Sequence, residues 1–501
     1  MSLEREVKMI VGPLFRVPDL SEVVPGAVAR DEGVVRTVAS YYDTPDLRLA
    51  RWGASVRYRT DEGWAVKLPI PGEDETMVRD ERAFEGPPGN PPEGALDLVR
   101  AYVRTAPLGL AVRLRTVRHR LTVAAGDNGR LAEVVDDEVS VMDGRRVAGR
   151  FREVEVELAP DADDAVLGAL TTRLEIAGGT RSGRGLPKFV RALLPRSLEP
   201  PEITATETGP GSSVRDVIRN SLGASAERML RHDAGVRLGE DPEDVHKARV
   251  ATRRMRSDLR TFASLLDDEW TAHLRTELGW YGAELGRVRD LDVLRDRILA
   301  QISQLSEVDV KAGPKLLERV RAERDAARAT LLSAMREPRY LALLDAVVSA
   351  SLEPAVRSEV AARSARRAMA TLMQRPWHHL EATCDSLDAA SADAELHQAR
   401  IRAKRVRYAA EALAPLYGKS ARRFAERAVD LQTVLGAHQD AAMAISWLRA
   451  QAGGTATSVA FVTGELAGIE RQAQVEARAA WPTAWRRLQS KKIRFWSEEE
   501  E

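Results

Sequence analysis

Two basic stretches of this chain match each other: HKARVATRRMR at residues 246–256 and HQARIRAKRVR at residues 397–407. Counted from each histidine, basic residues stand at +3, +7, +8 and +10 in both stretches. A leucine–glycine pair follows each stretch, with an aspartate after it: Leu285, Gly286 and Asp290, then Leu435, Gly436 and Asp440. Two matched phrases at nearly the same separation indicate an internal duplication of the C-terminal part.

The spacing within each stretch predicts an α-helix with a basic face. Offsets 0, +3, +7 and +10 return to the same side of a helix, so these positions form a stripe. A single stripe of like charges is typical of a solvated helix face, but its duplication at fixed offsets favours a surface for a polyanion. The two stripes are His246, Arg249, Arg253 and Arg256, and His397, Arg400, Lys404 and Arg407.

Composition limits what kind of protein this is. At 501 residues with 44% hydrophobic content, the chain is long enough to bury at least two cores. Lys+Arg and Asp+Glu are both 75, so a polyanion site requires local segregation of charge. Cys384 is the single cysteine, which excludes an intrachain disulfide and fits a reducing compartment. No run approaches the roughly 18 apolar residues of a membrane span, so we expect a cytoplasmic protein without a membrane partner.

The pattern of the chain changes near residue 200. Residues 195–213 are rich in proline, glycine and hydroxyl side chains, which is typical of a linker. Short alternating runs separated by turn residues precede it and predict strands, whereas a period near 3.6 follows it and predicts helices. The predicted organisation is an N-terminal domain at 1–195, a linker at 196–213, a helical domain at 214–480 with halves at about 214–360 and 361–480, and a C-terminal tail at 481–501.

The N-terminal strands group their charged residues on one side. Glu4, Glu6 and Lys8 alternate with other residues, as do Glu153, Glu155 and Glu157. On any one strand the charged side is most simply the solvated side. Several strands with acids and bases grouped in this way indicate a second, polar interior, such as the lumen of a barrel.

A polar interior of this kind suits triphosphate chemistry. Phosphate oxygens need fixed cations, and a hard divalent metal needs carboxylate oxygens. Together they would neutralise the charge that develops on a transferred phosphoryl group. The candidate cations are Arg57, Arg59, Lys67, Arg113, Arg115, Arg118 and Lys188, and the candidate metal ligands are Glu4, Glu6, Glu133, Asp137, Glu153, Glu155 and Glu157.

These residues resemble two known families. Glu4-x-Glu6-x-Lys8 resembles the ExExK signature of the CYTH, or triphosphate tunnel metalloenzyme, superfamily. The agreement continues in order through Arg57-Tyr58-Arg59, Lys67-Leu68-Pro69, Arg79-x-Glu81, Arg113-Leu114-Arg115-Thr116, Glu133 with Asp137, Glu153-x-Glu155-x-Glu157 and Lys188. Relatives commonly carry Ser-Lys at the end of this domain, where this chain has Pro187-Lys188. The duplicated phrases, with residues 286–292 and 404–408, resemble the CHAD domain.

The resemblance implies an α+β protein: an antiparallel eight-stranded β-tunnel followed by an all-α domain of two duplicated helical bundles. It implies metal-dependent hydrolysis of a triphosphate, either inorganic triphosphate or a polyphosphate end, with Mg²⁺ or Mn²⁺. Within this reading Lys8, Arg57 and Arg59 are catalytic. Phosphate would be bound by Lys67, Arg79, Arg113, Arg115, Arg118 and Lys188, and the metal by the seven carboxylates above.

For the C-terminal part the resemblance implies binding of inorganic polyphosphate, with polyphosphate granules as a candidate location in the cytoplasm. The residues implied are His246, Arg249, Arg253, Arg254, Arg256, His397, Arg400, Lys404, Arg405, Arg407 and His438.

Three other functions compete with this one. The tunnel could be inactive, leaving a polyphosphate-binding or granule-associated protein. Nucleic-acid binding is disfavoured because aromatics are 5% of the chain and the first basic stripe contains none for base stacking. Cyclisation of ATP ranks lower still, because no nucleoside pocket is identifiable from the sequence.

Overall fold

The structure is a computed structural model whose described residues are 5–69, 79–125, 129–182, 186–204, 206–388, 390–453 and 456–496. It divides into two compact units, Met1–Glu202 and Ile203–Glu501. The first is built on an antiparallel sheet and the second is largely helical, so the predicted α+β class is confirmed. Glu4 and the side chain of Arg79, both named above as site residues, lie outside what is described.

The described strands of the first unit form one antiparallel sheet, in the order β5-β4-β3-β2-β6-β7-β8-β1-β9. Their bounds are β1 Glu6–Val11, β2 Ala27–Asp43, β3 Ser55–Arg59, β4 Gly63–Pro69, β5 Arg79–Phe84, β6 Gly109–Ala125, β7 Gly129–Asp143, β8 Arg146–Leu158 and β9 Thr180–Arg181. Eight strands were expected. The ninth strand, β9, is two residues long and pairs with the edge of β1 at Met9 and Ile10.

The helices of the first unit pack against its strands. They are α1 Arg48–Arg51, α2 Glu93–Val103, α3 Asp164–Ile176 and α4 Lys188–Ala192. Asp163 begins α3, because its side chain accepts a hydrogen bond from the backbone N–H of Ala165 at 2.9 Å.

Alternation along the strands separates an apolar face from a charged face. β1 pairs with β8 in the register Lys8↔Glu155 and Met9↔Val154, so charged residues meet charged residues and apolar residues meet apolar ones. The apolar face packs against α3 through Met9, Val134, Val154, Val156, Val166, Leu170 and Leu174. We use "charged face" for the opposite side, defined by Glu6, Lys8, Arg118, Asp137, Glu153 and Glu155.

The second unit is a set of helices, several of them long. Their bounds are α5 Val214–Leu238, α6 Pro242–Thr261, α7 Asp268–Ile302, α8 Gly313–Ala334, α9 Pro338–Leu352, α10 Ser358–Ala361, α11 Ala365–Ala368, α12 Gln374–Asp385, α13 Asp393–Tyr417, α14 Lys419–Gln451 and α15 Thr457–Leu488. None of the helices in the described part of the chain combines the length and the apolar character that a membrane crossing would need.

The two basic stretches lie on helices α6 and α13, which contact each other. Asp241 begins α6 by accepting a hydrogen bond from the backbone N–H of Glu243 at 2.9 Å, and Pro242 occupies the first helical position. Acidic residues in the first turn of each helix match the positive end of the helix dipole. The basic stripes therefore begin just after the N-terminal turns.

One apolar core joins the two repeats. Ile298 and Ile302 of α7 and Val320 of α8 pack with Leu448 of α14 and Leu466 of α15. Helices of the first repeat thus bury their ends against helices of the second repeat. The duplication does not give two bundles with fully separate cores.

The C-terminal segment packs more tightly than the expected tail at 481–501. Helix α15 continues to Leu488, and Trp481 and Trp485 on its last turns are both 5% exposed. Phe495 is 2% exposed, with its ring centroid 5.2 Å from that of Tyr417 and 6.0 Å from that of Phe424. Large aromatic side chains bury enough apolar area to hold residues 481–496 against the helical unit.

Candidate phosphate-binding sites

The charged face of the sheet brings acids and bases of four strands into direct contact. The ammonium group of Lys8 on β1 lies 3.2 Å from a carboxylate oxygen of Glu6 and 3.2 Å from one of Glu155 on β8. Arg118 on β6 makes a two-point contact with Asp137 on β7, at 2.9 and 2.7 Å. The planar guanidinium group matches both oxygens of a carboxylate, so this pair is held in a fixed geometry.

Lys188 lies at the centre of the cluster. Pro187 precedes it at the start of α4, and its ammonium nitrogen lies 2.9 Å from oxygens of Asp137, Glu153 and Glu155. The side chains of Asp137 and Glu153 are 0% and 4% exposed. Desolvation by burial would lower the pKa of Lys188, but the surrounding carboxylates outweigh it and hold that pKa well above its usual value.

The neighbours of Glu155 strongly affect its ionisation. Burial alone would raise its pKa, yet the positive charges of Lys188 and Lys8 outweigh burial and lower the pKa to about 2. Glu155 is therefore ionised throughout the physiological pH range. The same attraction leaves the pKa of Lys8 above its usual value, although burial opposes it.

A second group of charges lies on strands β3, β4 and β5. Arg57 contacts Glu62 at 2.9 Å and Glu81 at 2.8 Å, and Lys67 contacts Glu81 at 2.8 Å. Arg59 pairs with Asp61 and Glu62 in the turn after β3. The Nε atom of Arg57 is buried and has no hydrogen-bond partner among the described residues, so it remains as a donor.

The structure does not bring together all of the predicted tunnel residues. Arg113 and Arg115 are exposed and lie on the opposite sheet face from Arg118, because three and five residues are odd offsets on a strand. No register shift occurs between them in the β6–β7 pairing that would restore the phase. Assigning Arg113 and Arg115 to the same surface as Arg118 was therefore wrong.

Two of the predicted metal ligands, Glu133 and Glu157, differ in their surroundings from the carboxylates that contact Lys188. Glu133 is held at 2.5 Å by both Arg120 and Arg130. Glu157 lies opposite Glu6 and Glu133 in the pairing register but is exposed. Sequence reasoning missed Arg191, which contacts Glu153 at 3.5 Å and lies three residues after Lys188 on the same side of α4.

The donors of the charged face fit a hard divalent cation in their chemistry. Within the described residues no group of three or more acidic, histidine or cysteine side chains is arranged as a set of metal ligands. Oxygens of Glu6 and Glu155 nevertheless converge on one cationic group, the ammonium of Lys8, at 3.2 Å each. Carboxylate oxygens are the ligands that Mg²⁺ and Mn²⁺ prefer.

The helical unit contains a basic cavity of about 510 Å³ between α6, α7, α13 and α14. Both duplicated stripes reach it, and they contribute residues from equivalent positions. The histidine and basic side chains that line it are His246, Arg249, Arg253, Arg289, Arg297, His397, Arg400 and Lys404. Six of these eight were predicted from the duplicated phrases.

The two matched phrases cooperate to hold one arginine in each repeat. The guanidinium group of Arg249 lies across Gly286, where a Cβ atom would stand 3.6 Å from its Nε, and it contacts Asp290 at 2.9 Å. Arg400 lies across Gly436 at 3.5 Å and contacts Asp440 at 3.6 Å. The glycine provides space and the aspartate provides charge, so the two matched phrases of each repeat meet at one arginine.

Electrostatics in the cavity favour an incoming anion. Burial, followed by the charges of Arg400, Arg253 and Arg249, lowers the pKa of Lys404 to about 7. Burial and neighbouring arginines likewise lower the pKa of His246 below its usual value. The Nε atom of Arg400 and the Nδ1 atom of His397 are buried without a hydrogen-bond partner in the described part of the chain.

The remaining predicted polyphosphate residues lie outside the lining of this cavity. Arg254 pairs with Asp258 and Glu411, and Arg407 pairs with Glu411 at 2.6 Å. His438 is 1% exposed, with Nε2 lying 3.2 Å from Asp393. Arg256 and Arg405 form part of a separate arginine cluster. Arg289 and Arg297 of α7 were not predicted, although Arg289 stands between Gly286 and Asp290 in the second phrase.

Comparison with known proteins identifies both units. The CYTH domain family matches residues 2–185 and the CHAD domain family matches residues 220–449. An uncharacterized protein of Mycobacterium tuberculosis is 28% identical over 485 residues, covering 90% of this chain and 89% of that protein.

Two solved structures are also similar, each at 27% identity. One is PptA from Streptomyces chartreusis, with a TM-score of 0.46 over 55% of this chain and 100% of that chain. The other is the CHAD domain from the plant Ricinus communis, with a TM-score of 0.48 over 57% of this chain and 95% of that chain. On the two family matches, the chain combines an N-terminal CYTH domain, of the triphosphate tunnel metalloenzyme family, with a C-terminal CHAD domain.

Proposed function

We propose that the CYTH domain hydrolyses a short triphosphate, either inorganic triphosphate or the end of a polyphosphate, in a reaction that depends on Mg²⁺ or Mn²⁺. The observation that carries this proposal is the balanced set of charges on one sheet face. Four acids, Glu6, Asp137, Glu153 and Glu155, lie against four bases, Lys8, Arg118, Lys188 and Arg191.

The two halves of that set have different roles. Glu6 and Glu155 would hold the divalent ion, which when bound supplies positive charge that stabilises the transferred phosphoryl group. Arg118 and Lys188 would exchange their carboxylate partners for phosphate oxygens. On the neighbouring strands, Arg57 offers its buried Nε donor, and Arg59 and Lys67 add two further cations.

Phosphate release tests this proposal. Purified protein is incubated with inorganic triphosphate, longer polyphosphate, ATP and thiamine triphosphate, each with Mg²⁺, with Mn²⁺ or with chelator. We expect metal-dependent release from at least one substrate and its loss in Glu155→Gln. Release that is unchanged in Glu155→Gln, or that persists in chelator, would contradict the assignment of this face.

We also propose that the CHAD domain binds inorganic polyphosphate in the cavity between the two repeats. Cationic side chains from both repeats line that cavity, and two buried nitrogen atoms there have no partner among the described residues. Phosphate oxygens carry the negative charge and the acceptor capacity that these groups require.

Titration of long-chain polyphosphate into the full chain tests the cavity. Arg249→Ala combined with Arg400→Ala should reduce affinity by at least about tenfold, because each change removes a charge-assisted contact. Arg219→Ala combined with Arg228→Ala removes the same charge from exposed positions of α5 and serves as the matched control. Equal polyphosphate affinities for the two double variants would contradict the assignment of the cavity as the binding site.

Two competing functions remain measurable. An inactive CYTH domain would give no phosphate release from any substrate while polyphosphate still binds, leaving a binding protein located at polyphosphate granules in the cytoplasm. Tighter binding of duplex DNA than of polyphosphate would make the CHAD domain a nucleic-acid binder.

A further inference from the structure

Four arginines of the CHAD domain form a cluster outside the lining of the basic cavity. Arg256 and Arg260 lie on α6, Arg275 lies on α7 and Arg405 lies on α13. Arg256 and Arg260 continue the α6 stripe beyond Arg253, one and two turns further along the helix. We refer to Arg256, Arg260, Arg275 and Arg405 as the distal cluster.

The distal cluster differs from its surroundings in having no neutralising partners among the residues that the structure describes. Elsewhere on the same helices, Arg254 pairs with Asp258 and Arg407 pairs with Glu411. In the described ranges of the chain, none of the four distal arginines forms an ion pair or a side-chain hydrogen bond. The Nε atoms of Arg275 and Arg405 are in addition buried without an acceptor. Buried donors without acceptors are unfavourable and usually mark a place where a ligand or water supplies the acceptor.

The four side chains are close enough to repel one another. Burial, followed by the charges of Arg405, Arg275 and Arg256, lowers the pKa of Arg260 to about 10. The pKa values of Arg275 and Arg405 are lowered in the same direction, first by burial and then by neighbouring arginines that include Arg256. Within the described part of the chain, the charged neighbours that shift these three pKa values are all arginines.

The backbone of α7 leaves space for this cluster. A Cβ atom at Gly279 would stand 3.2 Å from the guanidinium carbon of Arg256, closer than most side chains tolerate. Gly279 thus accommodates Arg256 on α7 much as Gly286 accommodates Arg249 seven residues further along. Repelling cations, one of which is seated against the backbone, form an anion site that needs little rearrangement.

We propose that Arg256, Arg260, Arg275 and Arg405 form a second phosphate-binding site, which takes the part of an inorganic polyphosphate chain that extends beyond the cavity. Arg249 and Arg260 are separated by about 16 Å along the axis of α6, so only a long chain engages both groups. This inference rests on the proposed binding of polyphosphate in the cavity, and it adds a second set of contacts to that function.

The test compares three forms of the full chain in titrations with long-chain polyphosphate across a salt series. Arg260→Ala combined with Arg275→Ala should weaken binding by about tenfold or more, because two charge-assisted contacts are lost. The slope of log affinity against log salt should become shallower by about 1.4 to 1.8, by analogy with nucleic acids. Arg219→Ala combined with Arg228→Ala, which removes equal charge from α5, should leave both quantities unchanged.

The possible outcomes separate the two proposals. If wild-type protein binds polyphosphate and the Arg260/Arg275 variant binds equally well with the same slope, the distal site is wrong while the cavity stands. If wild-type protein does not bind polyphosphate at all, the proposed function itself fails, and the distal site fails with it.

Thermal unfolding without polyphosphate gives an independent check on the fold. Because the distal arginines repel each other, replacing two of them should leave Tm unchanged or raise it. A fall in Tm would show that these side chains stabilise the fold. It would overturn their assignment as unpaired arginines that form an anion-binding site.

Discussion

Arg115 and Arg118 are three residues apart on β6, and that spacing places them on opposite faces of the sheet. Arg118 contacts Asp137 on the charged face, whereas Arg115 is exposed on the other face. We expect Arg118→Ala to lower metal-dependent phosphate release by at least about a hundredfold and Arg115→Ala to change it less than twofold. Similar losses in both variants would contradict the division of the sheet into two faces.

Glu155 makes the stability of the CYTH domain depend on acid pH. Its pKa of about 2 lies below the usual 4.5, so its ion pairs stabilise the fold above pH 4.5 and are lost as pH falls toward 2. The difference amounts to about 3 kcal/mol. In denaturant titrations at several pH values, Glu155→Gln should flatten the pH dependence of unfolding free energy in that window. An unchanged pH dependence would mean that Glu155 is not paired in solution.

Gly286 has a measurable role in seating Arg249. A Cβ atom at this position would stand 3.6 Å from the Nε of Arg249, which is an ordinary contact, so Gly286→Ala should keep polyphosphate affinity. It should also gain about 1 kcal/mol of stability from the higher helix propensity of alanine. Gly286→Leu should displace the guanidinium group and weaken binding. The helical content of both variants is measured to confirm that they fold. Equal polyphosphate affinity of the Ala and Leu variants would contradict the role of Gly286 in positioning Arg249.

At the scale of the element, we expect helix α13 to link polyphosphate binding to pH. Lys404 has a pKa of about 7, so it is protonated at pH 6 and mostly neutral at pH 8. Since polyphosphate favours the protonated form, affinity should fall as pH rises through this range, by up to about tenfold per unit. Lys404→Arg keeps its charge and should reduce that fall. A pH profile that is identical in wild type and Lys404→Arg would contradict this role.

The basic stripes on α6 and α13 could be predicted because their information is local. A period of 3.6 places His246, Arg249 and Arg253 on one side of a helix whatever surrounds it. Which stripe residues are neutralised could not be predicted, because the partners come from elsewhere. Arg254, for example, meets Glu411, which is 157 residues away. Arg289 was missed because nothing local shows that α7 turns it toward the same cavity.

In the strands, too, some features could be predicted from local sequence and others could not. The alternation of Glu153, Glu155 and Glu157 predicted a charged face on β8, since period 2 is also local. The phase between Arg115 and Arg118 was visible in the sequence as an odd offset, but grouping the arginines by type concealed it. The strand β2, Ala27–Asp43, lacks a clear alternation in sequence and its place beside β6 depends on long-range pairing.

At the scale of the whole molecule, the α+β order of the two units followed from the change in pattern near residue 200. The core shared by α7, α8, α14 and α15 did not, because packing between repeats leaves no periodic signal beyond that of each helix. The buried C-terminal segment was missed for a related reason. Charged residues after Trp481 suggested that the segment is exposed. In the structure, aromatic side chains of this segment pack against α12 and α14.

Two phenylalanines test that C-terminal packing as a matched pair. Phe495 is 2% exposed against α14, whereas Phe461 on α15 is 63% exposed. Phe495→Ala should lower unfolding stability by about 3 kcal/mol or more, as expected for a buried aromatic, and Phe461→Ala by less than about 0.5 kcal/mol. Chemical denaturation of both variants measures the difference. Equal stabilities would restore the reading of residues 481–496 as a loosely attached tail.

The cavity between the repeats is lined by equivalent residues from each, with Arg249 matched by Arg400 and Asp290 by Asp440. A ligand therefore meets a matched arginine–aspartate pair in each repeat, whereas Arg289 and Arg297 correspond to Gln439 and Trp447 in the second repeat. Linear polyphosphate has two identical ends and no direction along its chain. A nucleic-acid strand runs from 5′ to 3′ and would present different groups to the two halves. A cavity that offers the same arginine–aspartate pair in each repeat suits a chain that has no direction.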